Sequence, residues 1–302
     1  MKVLVYGSGV IGSYLAHVLC SAGNDVTVLA RGRWREQLET HGLRIRHHLQ
    51  RSQTLDHPKV IGDISEGGSY DAVFAVMPYN KIGAILEPLA AVRAPLVILV
   101  GNNMNPAAME KAISGGTVCE KQVLFGFQVT AGKRDMEKGL LVCERLGAGN
   151  MDLGGLHRLP DETIRSKLNE AFAGTGYRLN WQPDMEAYLV CHLAAILPIG
   201  YLAYACDGDM RSSTGAQRRL MRLASREAYA MLKAQGIPIL PAGDDRYYAP
   251  GLRGRLMQFL YFVMAKNKII GDLVACEHCR NAYYAPALLR FAEAPAAPSW
   301  HP

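Results

Sequence analysis

The run "VYGSGVIGSYLA" constrains this chain more than any other stretch. Gly7, Gly9 and Gly12 form the pattern G-x-G-x-x-G, directly after the strand-like "KVLVY" and at the start of an amphipathic stretch over 10–22. Glycine at the first position permits a tight turn. At the second it lets a pyrophosphate approach the backbone, and at the third it lets helix and strand pack closely. The helix N-terminus beyond offers free N–H groups and the positive end of the helix dipole to phosphate oxygens. Gly7, Ser8, Gly9, Val10, Ile11 and Gly12 are therefore the expected cradle of a dinucleotide. "DVTVLA" follows as a second strand, completing the strand–helix–strand context that the pattern needs.

The alternation continues through a helix-like "RWREQLETHG", an apolar "YDAVFAVM", a helix-like "NKIGAILEPLAAV" and an apolar "PLVILV". Apolar strands separated by helices predict a mostly parallel sheet covered on both faces. "QVLFGFQV", "LLVCERL" and "MDLGG" are expected to extend that sheet, and "LRIRHHLQR" reads as a half-exposed strand. From Gln182 onward helical patterns take over, at 184–204, 214–235, 252–268 and 271–291. The expected class is α/β: an N-terminal Rossmann-type doubly wound sheet over 1–181, binding the cofactor. A C-terminal all-helical domain over 182–302 would serve substrate binding and dimerisation.

Composition excludes several alternatives. With 302 residues, 49% hydrophobic and 20% charged, the chain has ample material for a globular core. Its net charge is +6, but without a long basic run, so nucleic acid is not an expected partner. The apolar run over 186–204 contains His192 and Pro198 and reads as a core helix, because a membrane span needs roughly 20 clean apolar residues. The opening residues lack a secretory-signal pattern. Seven cysteines, an odd number, fit reduced thiols, so the expected location is the cytoplasm. "CEHC" at 276–279 could put two cysteines on one helix face, but a structural zinc needs two more ligands and no second CxxC or HxxxH exists. No metal is expected.

The end of the second strand discriminates between nicotinamide cofactors. An NAD site usually places Asp or Glu there, on the ribose 2′-hydroxyl. This chain has Ala30 followed by Arg31, with Arg33 two residues on. A guanidinium can pair bidentately with the 2′-phosphate of NADP, which is the cofactor expected.

On these residues the chain resembles the ketopantoate reductase family. "GSGVIGS", Arg31, "GNNMN" after "LVILV", the proline-containing core helix and "KAQGIPI" carry the resemblance, which covers most of the chain. It implies a Rossmann domain followed by a helical domain, and NADPH-dependent reduction of 2-dehydropantoate to pantoate. The asparagine that lies by nicotinamide and substrate in the family matches Asn102, with Asn103 in a glycine position. Two departures stand out. Met77 occupies the place of a lysine near the cofactor, and the helix positions that carry a lysine and two asparagines fall near Leu189, Leu193 and Leu197. The family's late serine and glutamate have no secure match in "KNKIIGDLVACEHCRNAYYAPALLRF".

Hydride delivery to a ketone generates an alkoxide-like oxygen that needs a proton or strong hydrogen-bond donor. His192 lies within a turn of the usual lysine position and is the candidate acid; the bland alternative is a core histidine satisfied by a carbonyl. Tyr188, Lys266, Lys268 and His278 are the other donors, and Glu277 could face the substrate as the family's late glutamate does. The expected function is an NADPH-dependent oxidoreductase acting on a small 2-oxo acid or related carbonyl in an interdomain cleft, with a homodimer as a candidate assembly. The alternative is a non-catalytic NADP(H)-binding sensor or scaffold.

Overall fold

The computed structural model describes residues 1–116, 118–145, 147–207 and 209–266. The chain begins β1 (Lys2–Tyr6), α1 (Val10–Ser21), β2 (Asp25–Leu29), α2 (Gly32–His41), β3 (Leu43–His47), β4 (Ser52–Asp56) and β5 (Lys59–Ile61). It continues with β6 (Ala72–Val76), α3 (Tyr79–Ile82), α4 (Leu86–Ala91), β7 (Leu96–Val100), α5 (Pro106–Ser114) and β8 (Gln122–Phe127). Next come β9 (Ala131–Asp135), β10 (Leu140–Glu144), β11 (Asn150–Gly154), α6 (Glu162–Ala171) and β12 (Arg178–Trp181). Three longer helices follow: α7 (Met185–Ala205), α8 (Gly215–Ala234) and α9 (Leu252–Lys266).

Eight strands form the main sheet, in the order β12-β11-β8-β7-β6-β1-β2-β5. Neighbours run parallel except at β8–β11, where the direction reverses. The strands "AVFAV" of β6 and "LVILV" of β7 are buried at every residue. Continuous apolar runs of this kind belong to strands covered on both faces.

A second sheet, β4-β3-β10-β9, was not foreseen. "LLVCERL" supplies β10, which does not extend the main sheet: it pairs antiparallel with β9 and parallel with β3. Its hairpin partner "AGKRD" is adjacent in sequence and gives β10 a short loop to close. Leu141 and Cys143 of β10 join Leu43 and Ile45 of β3 in the core cluster that also holds Tyr14, Leu15, Val18 and Leu19 of α1. Helix α1 therefore shares one core with the main sheet, through Val3, Val5 and Phe74, and with the second sheet. Half-exposure of "LRIRH" agrees with expectation, as β3 alternates buried and more exposed residues.

"NKIGAILEPLAAV" is not one helix. It breaks into α3, a 3-10 turn at Gly83–Ile85, and α4. Pro88 has no N–H to offer the carbonyl four residues back, and it sits in the first turn of α4, where a missing N–H costs least, so the helix restarts just before it.

The chain divides into two compact units, Met1–Leu189 and Val190–Pro302, and the division falls within α7. The described part of the second unit is helical. Thr214 caps α8 reciprocally with Gln217, and Met221, Ser225, Tyr229 and Leu232 form its buried stripe. Helix α7 has 21 residues and a mean hydropathy of 1.6, so by length and composition it could cross a membrane. However, 61% of its apolar window is buried within the protein, as in the core helix of a globular domain. The predicted helix at 271–291 lies outside the described residues.

Candidate functional site

Strands β1, β2, β6 and β7 run parallel, so the residues that follow each of them meet at one edge of the sheet. That edge gathers the turn from Gly7 to Gly12 after β1, Arg31 after β2, Met77 after β6 and Asn102 after β7. Strand β1 lies between β2 and β6, where the winding reverses, and ligands of open α/β sheets settle at such switch points.

The three motif glycines are held for different reasons. Gly7 has φ +115°, and a Cβ there would stand 2.3 Å from the Val76 carbonyl oxygen. A Cβ on Gly12 would stand 1.8 Å from the Gly7 carbonyl oxygen. The fold itself demands both. Gly9 has φ −68°, open to any residue, and a Cβ there would meet nothing within 4 Å. Nothing among the described residues requires glycine at that point; a group approaching the backbone would. Helix α1 starts there with no side-chain cap and no acidic residue in its first turn, which leaves its first N–H groups for an anion. Ser8 is buried, its carbonyl accepting from Ser13 Oγ at 3.2 Å, and Val10 and Ile11 pack against the core.

Arg31 is exposed. Its guanidinium donates to the Gly62 carbonyl and the Tyr6 hydroxyl, each at the long distance of 3.4 Å. Asp63, a carboxylate near Arg31, was not anticipated. Its Oδ1 accepts from the Ser65 amide at 3.0 Å and hydroxyl at 2.7 Å. Those bonds, and to a lesser degree Arg31, hold its carboxyl below the usual range. Met77 adjoins the turn, with its Sδ 3.4 Å from where a Gly7 Cβ would be.

Two adjacent asparagines part company at the end of β7. Asn103 is buried and donates to the carbonyls of Leu99 at 3.2 Å and Gly101 at 3.3 Å. The Oδ1 of Asn102 is buried and, among the described residues, accepts no hydrogen bond. An acceptor so placed costs about 1–3 kcal/mol until a donor reaches it. The carboxamide of a nicotinamide is such a donor, and the open space at Gly9 fits a pyrophosphate, so the residues present suit a dinucleotide. Sequence reading also missed Gln128. It is buried, takes the Tyr177 hydroxyl on its Oε1, and reaches the Ile11 carbonyl at 3.5 Å. Its only sequence signal is an amide at the end of an apolar strand.

His192 belongs to the second unit. Burial pushes its pKa down to about 4, so near neutral pH it is an uncharged imidazole, able to donate one N–H bond. Leu189, Leu193 and Leu197 are 1%, 4% and 9% exposed. Leu193 and Leu197 join Tyr201, Leu220, Met221 and Met231 around an apolar groove of about 530 Å³ between α7 and α8. Tyr188 is buried with its ring 6.4 Å from that of Phe127, and Lys266 donates to the Arg211 carbonyl at 2.6 Å, as a helix-end lysine does. Lys268 and the "CEHC" residues Cys276, Glu277, His278 and Cys279 lie outside the described residues.

The family model "Ketopantoate reductase PanE/ApbA" matches residues 3–154. The chain is 36% identical over 261 residues to the uncharacterized oxidoreductase YkpB of Bacillus subtilis (strain 168), covering 82% of this chain and 80% of that protein. Among solved structures it resembles the 2-dehydropantoate 2-reductase of Geobacter metallireducens GS-15 with a TM-score of 0.73 and 20% identity, over 97% of this chain and 93% of that one. It also resembles a D-mandelate dehydrogenase solved with NADH and anilino(oxo)acetate, with a TM-score of 0.67 and 14% identity, over 91% of this chain and 85% of that one. At these identities the solved structures speak to the fold alone. Family model, full-length relative and fold agree: the chain is an oxidoreductase of the ketopantoate reductase family.

Proposed function

We propose that the protein is an NADPH-dependent reductase of a small 2-oxo acid or related carbonyl. The observation that carries this reading is Gly9, a glycine that no described residue requires, standing open before an uncapped helix. NADPH, when bound, supplies the hydride. The backbone N–H groups of the Gly7–Gly12 turn hold the pyrophosphate, and Arg31 pairs with the 2′-phosphate in place of its long bonds to Gly62 and Tyr6. Asn102 Oδ1 accepts from the carboxamide, and Met77 gives the ring an apolar neighbour. His192 supplies an N–H to the substrate oxygen as charge develops on it.

A second reading has a specific observation behind it. Three buried leucines fall near the positions for which the family resemblance implies a lysine and two asparagines, as in a protein that binds NADP(H) for sensing or scaffolding without turnover. The test is NADPH consumption, followed by nicotinamide absorbance, with 2-dehydropantoate and a panel of 2-oxo acids that includes aromatic ones. Wild type, Arg31→Ala and His192→Ala are compared. Turnover that collapses in His192→Ala supports the reductase with histidine as donor. Turnover that survives removes His192 from the mechanism. Tight, Arg31-dependent NADPH binding without any turnover favours the sensor.

A further inference from the structure

At the opposite end of the main sheet, just before β8, Lys121 is 6% exposed. The described lysines that pair with carboxylates are Lys138 and Lys233; Lys121 is not among them. Its Nζ donates instead to the Sγ of Cys119 at 3.3 Å. An ammonium this deeply placed is costly without polar partners, and the sulfur of Cys119 is the side-chain acceptor it reaches among the described residues. Cys119 is half-exposed, and its thiol also reaches the Ala94 carbonyl at 3.5 Å. Lys121 lines a groove of about 1170 Å³ with Pro95, Lys111, Glu120, Arg158 and Lys167, and the half-exposed Cys119 lies two residues away.

We propose that Cys119 and Lys121 form a redox-modification site at which a hydroperoxide oxidises Cys119 to its sulfenic acid. The Cys119 thiol loses its proton to solvent, the Lys121 ammonium beside it favouring the thiolate, which attacks the terminal oxygen of the hydroperoxide. An S–O bond forms as the O–O bond breaks, two electrons pass from sulfur to peroxide, and the departing hydroxide or alkoxide takes a proton from solvent and leaves as water or an alcohol. A partly exposed sulfur beside a cation is the setting in which thiolates react. Burial works against the other described cysteines: it pushes Cys20 up to about 12 and Cys143 up to about 11, and Cys191 and Cys206 are buried as well. β7 and β8 run parallel, so this pair precedes them while Asn102 follows β7. The site is thus separate from the cofactor edge.

The intact protein is treated with hydrogen peroxide and the sulfenic-acid trap dimedone, and labelling at each cysteine is read by peptide mass spectrometry. Cys119 is expected to be labelled at least about tenfold faster than Cys20, Cys143, Cys191 or Cys206. Lys121→Met should slow it by about tenfold, while Lys121→Arg, which keeps the cation, should stay within about threefold of wild type. Equal labelling across those cysteines, or unchanged labelling in Lys121→Met, overturns the proposal. Should Lys121→Met unfold, seen as new labelling of Cys20 and Cys143, the wild-type ranking and Lys121→Arg decide it.

Discussion

Gly9 and Gly12 are equivalent letters in the motif, yet different forces hold them, and substitution separates the two. Gly12→Ala drives a methyl into the Gly7 carbonyl and should cost about 1–3 kcal/mol or more of stability, read by thermal melting. Gly9→Ala meets no atom of the described residues and should leave stability within about 0.5 kcal/mol of wild type. The same methyl stands where the pyrophosphate would lie, so NADPH affinity should fall at least about tenfold, roughly 1.4 kcal/mol, in a fluorescence titration. Normal NADPH binding by a stable Gly9→Ala protein would end the cradle reading. Arg31→Ala belongs to the same scale: a lost charge-assisted pair of about 1.5–3 kcal/mol should raise KM for NADPH roughly tenfold or more and leave KM for NADH alone. The glycine turn and Arg31 are legible in sequence because each states its chemistry locally. Asn102 is legible only through resemblance; which of two neighbouring asparagines spends its hydrogen bonds on the backbone depends on how the chain turns after β7. Asp63 follows β5 and Gln128 follows β8, so it is the sheet, and no motif around either residue, that brings them to the edge where the glycine turn lies.

Among elements, α1 shows how tertiary packing adds to a pattern that is only partly visible in sequence. Its residues suggest one buried face against one sheet, but a second sheet shares its core as well. Leu15 is fully buried, so Leu15→Ala should cost about 2–5 kcal/mol in urea unfolding, where a half-exposed leucine would cost far less. A loss below about 1 kcal/mol would mean that the second sheet does not close over the helix in solution. Strands β6 and β7 were readable because unbroken apolar runs have few other uses. Strands β4 and β9, "SQTLD" and "AGKRD", were not: neither is apolar enough to announce a strand, and each exists by pairing with a better one. Missing β9 led directly to misplacing β10, since a strand's sheet is chosen by its partners and not by its own residues. Helix α8 was readable from apolar residues at helical spacing, and α7 from the length of its apolar run.

For the whole molecule, the buried titratable groups bound the pH range of stability from both sides. His47 is pushed down to about 4 from 6.5 by burial first, then by His17 of α1 and by Arg145, against the opposing pull of Asp56 on β4. Its ring accepts from Arg145 at 3.3 Å and meets Thr54 at 2.9 Å, with Tyr14 of α1 edge-on at 6.2 Å. His192, in the other unit, is depressed to the same region by burial. Between about pH 6.5 and 4 the unfolded chain binds these protons and the folded one does not, so stability must fall as pH falls through that window. On the alkaline side, burial raises Tyr14 to about 12 and the Cys20 and Cys143 thiols to about 12 and 11. There the folded state keeps protons that the unfolded state releases from about pH 9 upward, so stability falls again as pH rises. The melting temperature should therefore be flat between about pH 7 and 8.5 and drop by about 5 °C or more by pH 5. His47→Gln keeps a neutral hydrogen-bonding side chain and should flatten the acid limb, as should His192→Leu. An acid limb of unchanged slope in both variants would assign acid sensitivity to the carboxylates instead. If His192→Leu flattened it while NADPH turnover persisted, burial of this histidine would serve the helical core alone, and the proton donor would have to be sought elsewhere.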